Sequence, residues 1–527
     1  MLLAVAAILV LSFSLDCPSV YGEEQDDSDV SPDDDDNDDL PWFEIDDITY
    51  IPISADEVMA NQCFQEVADV VVPPIVVHDD VSYKVTQLSS NFICTDVVTL
   101  TIPYTVNDID EVFFCTTLKA IIVEENNPEY ASMDGVLYSK GWSLLIRYPI
   151  AKEGERFMVP SGVSGLADFC FMDNENLREV YLPNRIYCIP YNAFEGCTNL
   201  YHMNFDGERN KLPESIRMID ECAFERCTSL QQLDMPSNLI YIGSFAFNSS
   251  GLSSFMVPSS VDFIGLGAFS GCSNLHAIDS DSQSYRSVDG VLFENIGMDV
   301  VLHTYPDRLD EVYVMPEDTT KIEGLAFKGM THLKEVVISP NIPIISSDSF
   351  AYCDSLEKVE IPGSVYKIED MAFYGCQNLK EVILGDGLIR IGYFAFRECD
   401  MEAIDIPSSV KYLDGSTFSG CKSLRVVNIY SEQVTMGDSL FEMCPSLEEI
   451  NIYGEGITFH DATFLAIYSE STVVIQVQKG VEFDQSYLED NVVVKTFGER
   501  PYPYENFIGV FVCVLVVLII LRTFRGV

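Results

Sequence analysis

The chain has 527 residues, with 83 acidic side chains against 30 basic ones and a formal charge of −53. A field of that sign repels phosphate backbones, so no nucleic acid is expected as a partner. Apolar residues make up 47% of the chain, enough to build a large core, which excludes wholesale disorder. The presence of only two long apolar runs excludes a polytopic membrane protein.

The first of those runs, Leu2 to Leu11, is followed by Ser12, Phe13 and Ser14. It reads as the apolar region of a secretory signal peptide and is too short for a membrane anchor. The predicted leader covers residues 1–14, with cleavage as late as Gly22. Residues 15–47 read as an acidic, disordered spacer. Glu23 to Asp47 holds 14 carboxylates and no cation, and the first Lys or Arg of the chain is Lys84. The run Asp33 to Asp36 lacks the glycine turn and spaced glutamate of a calcium loop. Residues 48–80 are assigned to an N-terminal cap, and residues 81–497 to the body.

The body is a repeat array. The dipeptide Ala-Phe recurs at Phe194, Phe224, Phe247, Phe269, Phe327, Phe373 and Phe396, and Phe171, Phe350, Phe418, Phe441 and Phe464 take the same place after other residues. From Phe327 to Phe464 the intervals are 23, 23, 23, 22, 23 and 23 residues. From Phe171 to Phe269 they are 23, 30, 23 and 22, and Phe92 and Phe114 mark weaker early units. Three residues after the Phe there is often Cys, and three further usually Leu, as in Cys376 and Leu379. An alternating segment follows. In Leu356-Glu-Lys-Val359-Glu-Ile361-Pro362, Val359 and Ile361 share one face, which predicts a strand packed on one side and ended by proline. A short second segment, such as Val365-Tyr-Lys-Ile368, closes the cycle. Each unit is too small to bury its own apolar face, so stacking must do it. The stretch from Phe to Leu is expected to form one helical turn or a tight bend.

Two intervals are long: Phe114 to Phe171, 57 residues, and Phe269 to Phe327, 58 residues. Both carry a paired mark, Ser132-Met-Asp134-Gly135-Val136 with Tyr148-Pro149, and Ser287-Val-Asp289-Gly290-Val291 with Tyr305-Pro306. They predict hairpin-bearing long units at 115–170 and 270–326. After the array come a juxtamembrane stretch, 498–506, and the second apolar run, Phe507 to Leu521, with 13 of 15 residues Phe, Ile, Val or Leu. The run predicts a transmembrane helix that recruits Tyr502, Tyr504 and Arg522 at its ends. Arg522 and Arg525 place the tail, 522–527, in the cytoplasm. A removed lipid-anchor signal would end in its apolar tail, whereas Arg-Thr-Phe-Arg-Gly-Val follows here. The expected location is the plasma membrane, single-pass type I, with the ectodomain outside the cell.

The combined motif of residues 356–376, LEKVEIPGSVYKIEDMAFYGC, resembles the BspA-like leucine-rich repeat family of surface proteins from mucosal bacteria and protists. The resemblance covers roughly residues 80 to 470. Pro190 departs from the usual glycine, and the 30-residue interval carries an extra Gly207-Glu-Arg-Asn. The resemblance implies a leucine-rich-repeat solenoid, mainly β with short helical turns, a curved right-handed α/β-type array. It further implies a role outside the cell, in adhesion to host cells, matrix or other microbes.

Eight of the 16 cysteines fall at one repeat position: Cys197, Cys227, Cys272, Cys353, Cys376, Cys399, Cys421 and Cys444. Stacking places them in a column of small buried thiols, with disulfides or a metal as the alternative. Cys94, Cys115, Cys170, Cys188 and Cys222 lie off the column, with pairing open. The six histidines show no metal-ligand spacing, and no nucleophile, base and orienter can be named. No enzyme activity and no cofactor are therefore expected. Asn248-Ser249-Ser250 is the one glycosylation sequon, expected on an exposed loop.

In each strand the residue between the two inward apolar ones faces out. Reading down the repeats gives Tyr181, Asn204, Asp234, Met256, Val337, Glu360, Ile383, Asp405, Asn428 and Asn451. These are expected to make one continuous sheet surface that suits a broad protein or glycan contact, or else a merely solvated face. Three functions follow: adhesion or recognition at a host–microbe interface, ligand sensing with signalling through a partner chain, or a passive surface coat.

Overall fold

The structure, a computed structural model, describes residues 42–497 apart from 65–66, 93–95, 111–114, 205–209, 461, 465–466, 470, 479–480, 482–487 and 489–490. The leader, the span Phe507 to Leu521 and their flanks lie outside the described residues, as does Phe114. The chain divides into two compact units, one of residues 1–311 with 318–333, the other of residues 312–317 with 334–527.

The first unit opens with a mixed sheet. Phe43–Ile45 and Ile48–Pro52 form a hairpin across Asp46 and Asp47, both at positive φ. Glu57–Cys63 pairs antiparallel with Ile48–Pro52 and parallel with Val81–Leu88. The hairpin starts inside the segment expected to be disordered spacer. Phe43 is buried against Tyr50, Tyr83 and the His78 ring, so apolar burial outweighs the charge of its acidic neighbours and ends the spacer before Phe43. Parallel coils follow, as in Asp69–Val71, Thr99–Ile102 and Ala120–Val123.

Both long intervals hold the expected hairpins. Tyr130–Met133, Val136–Ser139 and Leu144–Arg147 form one antiparallel meander, and Tyr285–Val288, Val291–Ile296 and Asp299–Thr304 the other. Asp134-Gly135 and Asp289-Gly290 make the tight turns, with positive φ at all four residues. A side chain at Gly135 or Gly290 would also strike Ala120 or Ala277, its Cβ 2.9 Å from theirs.

Ordinary coils carry two short parallel strands and a corner. In the first unit Arg156–Met158, Glu179–Tyr181 and His202–Asn204 form one ladder, and Cys188–Ile189, Met218–Ile219, Tyr241–Ile242 and Phe263–Ile264 another. In the second unit Val312–Val314, Glu335–Val337, Lys358–Ile361 and Glu381–Leu384 align in register. Ala403–Ile406, Val426–Ile429, Glu449–Ile452, Val473–Gln478 and Val492–Phe497 do the same. The outward strands are thus several ladders, not the single continuous sheet expected. The ladder ending at Glu381–Leu384 and the one starting at Ala403–Ile406 are separate sheets.

The corner between the strands is not helical. In the coil of Phe373, Met371 and Gly375 stand at φ 56° and 72°, and in that of Phe396, Phe394 and Glu398 stand at 56° and 63°. A left-handed residue on each side of the Phe breaks the repeating φ of an α-helix. The amides also point elsewhere. Met371, Phe373 and Gly375 donate to the carbonyls of Tyr393, Ala395 and Arg397 in the next coil, at 2.8 Å each. Of the helical turn or tight bend expected here the corner takes the bend, the short helical turns implied by the resemblance do not form, and no helix occurs among the described residues.

The repeated phenylalanines line up. Phe171, Phe194, Phe224, Phe247 and Phe269 stack in the first unit with centroids 4.8, 5.3, 5.4 and 5.7 Å apart. Phe350, Phe373, Phe396, Phe418 and Phe441 stack in the second at 5.1, 5.2, 5.9 and 5.9 Å. Of the tyrosines in the paired marks, Tyr148 extends the column of the first unit, 5.5 Å from Phe171, and Tyr305 lies 4.8 Å from Phe327.

Candidate functional site

The outward residues are positioned by strand alternation, each flanked by inward apolar neighbours. In the second unit Val314, Val337, Glu360 and Ile383 are aligned in register. Val314 is 63% exposed, Val337 44% and Ile383 40%, with Glu360 exposed among them. A salt bridge of 3.5 Å between Lys358 and Glu381 borders this strip.

Asp405, Asn428 and Asn451 behave differently. Asn451 donates to Asn428 at 2.9 Å, and Asn428 donates to Asp405 at 2.8 Å. Asn451 is only 8% exposed, so its placement as an open contact residue is corrected: in-register stacking turns the amides toward one another. In the first unit Met256 and Asp234 are exposed and Tyr181 is half-buried. Asp234 bridges Lys211, not the strand of Asn204, because the 30-residue interval inserts extra chain there. The side chain of Asn204 lies outside the described residues.

Sequence reasoning missed a polar cluster beside Tyr181. Glu179 receives Arg156 at 2.9 and 3.1 Å, the Tyr181 hydroxyl at 2.8 Å and the Tyr201 hydroxyl at 3.2 Å. Burial raises the Glu179 pKa, but the hydrogen bonds from Tyr181, Tyr201 and Arg156, with the Arg156 charge, outweigh it and hold the carboxyl below its usual range. The signal was absent from the repeat pattern, because Glu179 lies just outside the central outward position.

The cysteine column is a ladder of buried thiols. Cys376, Cys399, Cys421 and Cys444 donate to the carbonyls of Phe350, Phe373, Phe396 and Phe418 at 3.1 to 3.2 Å. Burial pushes the thiol pKa of Cys197 and Cys444 up to about 12. Off the column, Cys115, Cys170 and Cys222 are not in disulfides and Cys188 is disulfide-bonded, while Cys94 lies outside the described residues. Asn248 sits half-buried on a corner, and its amide donates to Glu225 at 3.0 Å. Among the described residues no group of three or more metal-ligating side chains is gathered, and no helix is long and apolar enough to cross a membrane.

Parallel coils, a shared Phe column and an outward strand face define a leucine-rich-repeat scaffold. The BspA type leucine rich repeat region matches in six copies, over residues 154–212, 207–313, 306–368 and 343–469. These matches cover more than half of the chain, and the protein belongs to that family. Similar solved structures include a leucine rich cell surface protein from Faecalibacterium prausnitzii, 20% identical, covering 82% of this chain and 98% of that one with a TM-score of 0.42. Another is the pneumococcal vaccine antigen PcpA, 18% identical, covering 88% and 99% with a TM-score of 0.43. A leucine-rich repeat protein from Bacteroides ovatus is 21% identical, covering 86% and 99% with a TM-score of 0.32. No curated protein matches the chain.

Proposed function

We propose that this protein is a non-catalytic recognition or adhesion protein of the cell surface, contacting a protein or glycan at a host–microbe interface. The observation that supports the reading is the exposed in-register column of Val314, Val337, Glu360 and Ile383, since apolar groups exposed together around one carboxylate suit a partner contact better than water. In this reading the leader directs secretion, Phe507 to Leu521 anchors the chain as a single-pass type I protein, and Asn248 accepts a glycan.

Purified protein is expected to bind host cells or matrix above an acidic control protein. Val337→Ser with Ile383→Ser should weaken that binding without lowering thermal stability. Equal binding by the double variant would remove the strip from the contact, and no binding to any tested surface would refute adhesion.

A further inference from the structure

The ladder that starts at Ala403–Ile406 ends on an open edge. Its last strand, Val492–Phe497, pairs in parallel with Val473–Gln478 and with no other strand. The Val473 amide donates to the Asn491 carbonyl at 2.9 Å, which fixes the phase of the pairing. Asn491, Val493 and Lys495 therefore turn their N–H and C=O groups toward Val473–Gln478, and Val492, Val494 and Thr496 turn theirs away. No hydrogen bond among the described residues engages those outer groups. The core is also unsealed there. Ile404, Val427, Ile450 and Ile475 are buried, whereas Val494, in the same inward place, is only half-buried, and Thr496 is exposed beside buried Val477. Proteins commonly guard such an edge with charge, proline or a bulge. Here the two strands, VVIQVQ and VVVKTF, hold Lys495 as their one charge and no carboxylate, in a chain of formal charge −53.

We propose that this edge pairs with the same edge of a second copy of the chain, antiparallel about a two-fold axis at Val494. Val492 of one copy then faces Thr496 of the other, Val494 faces Val494, and each facing pair exchanges both of its N–H···O bonds. The half-buried Val494 side chains meet on the axis and shield each other from water. Such an isologous contact closes at two copies. Carboxylates, which would resist the approach of two acidic chains, are absent from these strands. Lys495 of each copy falls opposite Val493 of the other, so like charges do not meet. The chain's own continuation is a poor occupant, because Pro501 and Pro503 lack the N–H groups that a returning strand must donate. The apolar run from Phe507 begins ten residues beyond Phe497, so copies anchored by it would share one plane and hold this edge at one height. The contact is separate from the outward strip around Val337 and goes beyond the recognition reading.

Sedimentation equilibrium of the full chain in detergent micelles tests it, and the chain should dimerise reversibly. Thr496→Pro removes a donor that the chain's own ladder does not use. It should keep the melting temperature and weaken dimerisation about thirtyfold, since each dimer loses two hydrogen bonds. Val494→Lys, which points a charge inward at the edge, should abolish dimerisation. Val337→Ser should leave it unchanged, which separates this contact from the sheet face. A monomer at every concentration would overturn the proposal. A dimer retained in both edge variants would overturn it too and assign association to the apolar run. Slow amide exchange at Val492, Val494 and Thr496 in a monomer would overturn it as well and give the edge to residues 498–506.

Discussion

Phe396→Ala tests the shared core. Phe396 is fully buried between Phe373 at 5.2 Å and Phe418 at 5.9 Å. Its amide donates to the Thr417 carbonyl and its carbonyl accepts from Cys421, and alanine keeps both bonds. The loss is therefore the ring alone. Transfer of a buried Phe contributes roughly 1.5–3 kcal/mol and two ring pairs about 0.5–1.5 kcal/mol each, giving a cost of about 4 kcal/mol. Urea unfolding should show it, and hydrogen exchange should quicken most in the coils of Phe373, Phe396 and Phe418, because each coil is held by its neighbours. Tyr412→Ala, at an exposed ring, should cost about 0.5 kcal/mol or less. A loss below about 1.5 kcal/mol for Phe396→Ala would refute the argument from a continuous aromatic column.

Gly387→Ala should cost about 2–3 kcal/mol in the same assay, because its Cβ would fall 2.0 Å from the Gly363 carbonyl, whereas Gly363→Ala meets nothing and should be near neutral. The column thiols should resist alkylation at pH 8 in the native protein and react once it is unfolded; rapid native labelling of Cys376 or Cys399 would contradict their burial. His303 is buried, with Nε2 3.1 Å from the Ile264 carbonyl, and burial lowers its pKa. A depressed pKa gives stability that is complete above the unfolded value, about 6.5, and is lost as pH falls toward the folded value. The unfolding midpoint should fall between pH 7 and 5, less steeply in His303→Gln, and equal slopes would show that His303 does not contribute.

The repeat was legible because burial imposes it locally. A Phe every 22 or 23 residues, an alternating Val359 and Ile361, and a terminating Pro362 each report a position that stacking must fill with the same chemistry. Asp134-Gly135 and Asp289-Gly290 likewise announced their hairpins, since few dipeptides accept two positive φ values. Other features depend on which residues of different coils meet. Left-handed Met371 and Phe394 carry no local signal for that conformation, and hydrogen bonds to the next coil hold them there. Asn451 reads as an open polar residue until Asn428 stands beside it, and Glu179 gains Arg156 from a strand 23 residues away. Alternation fixes the side of the sheet on which a residue lies, but only the stacking of coils decides whether it meets solvent or a neighbour.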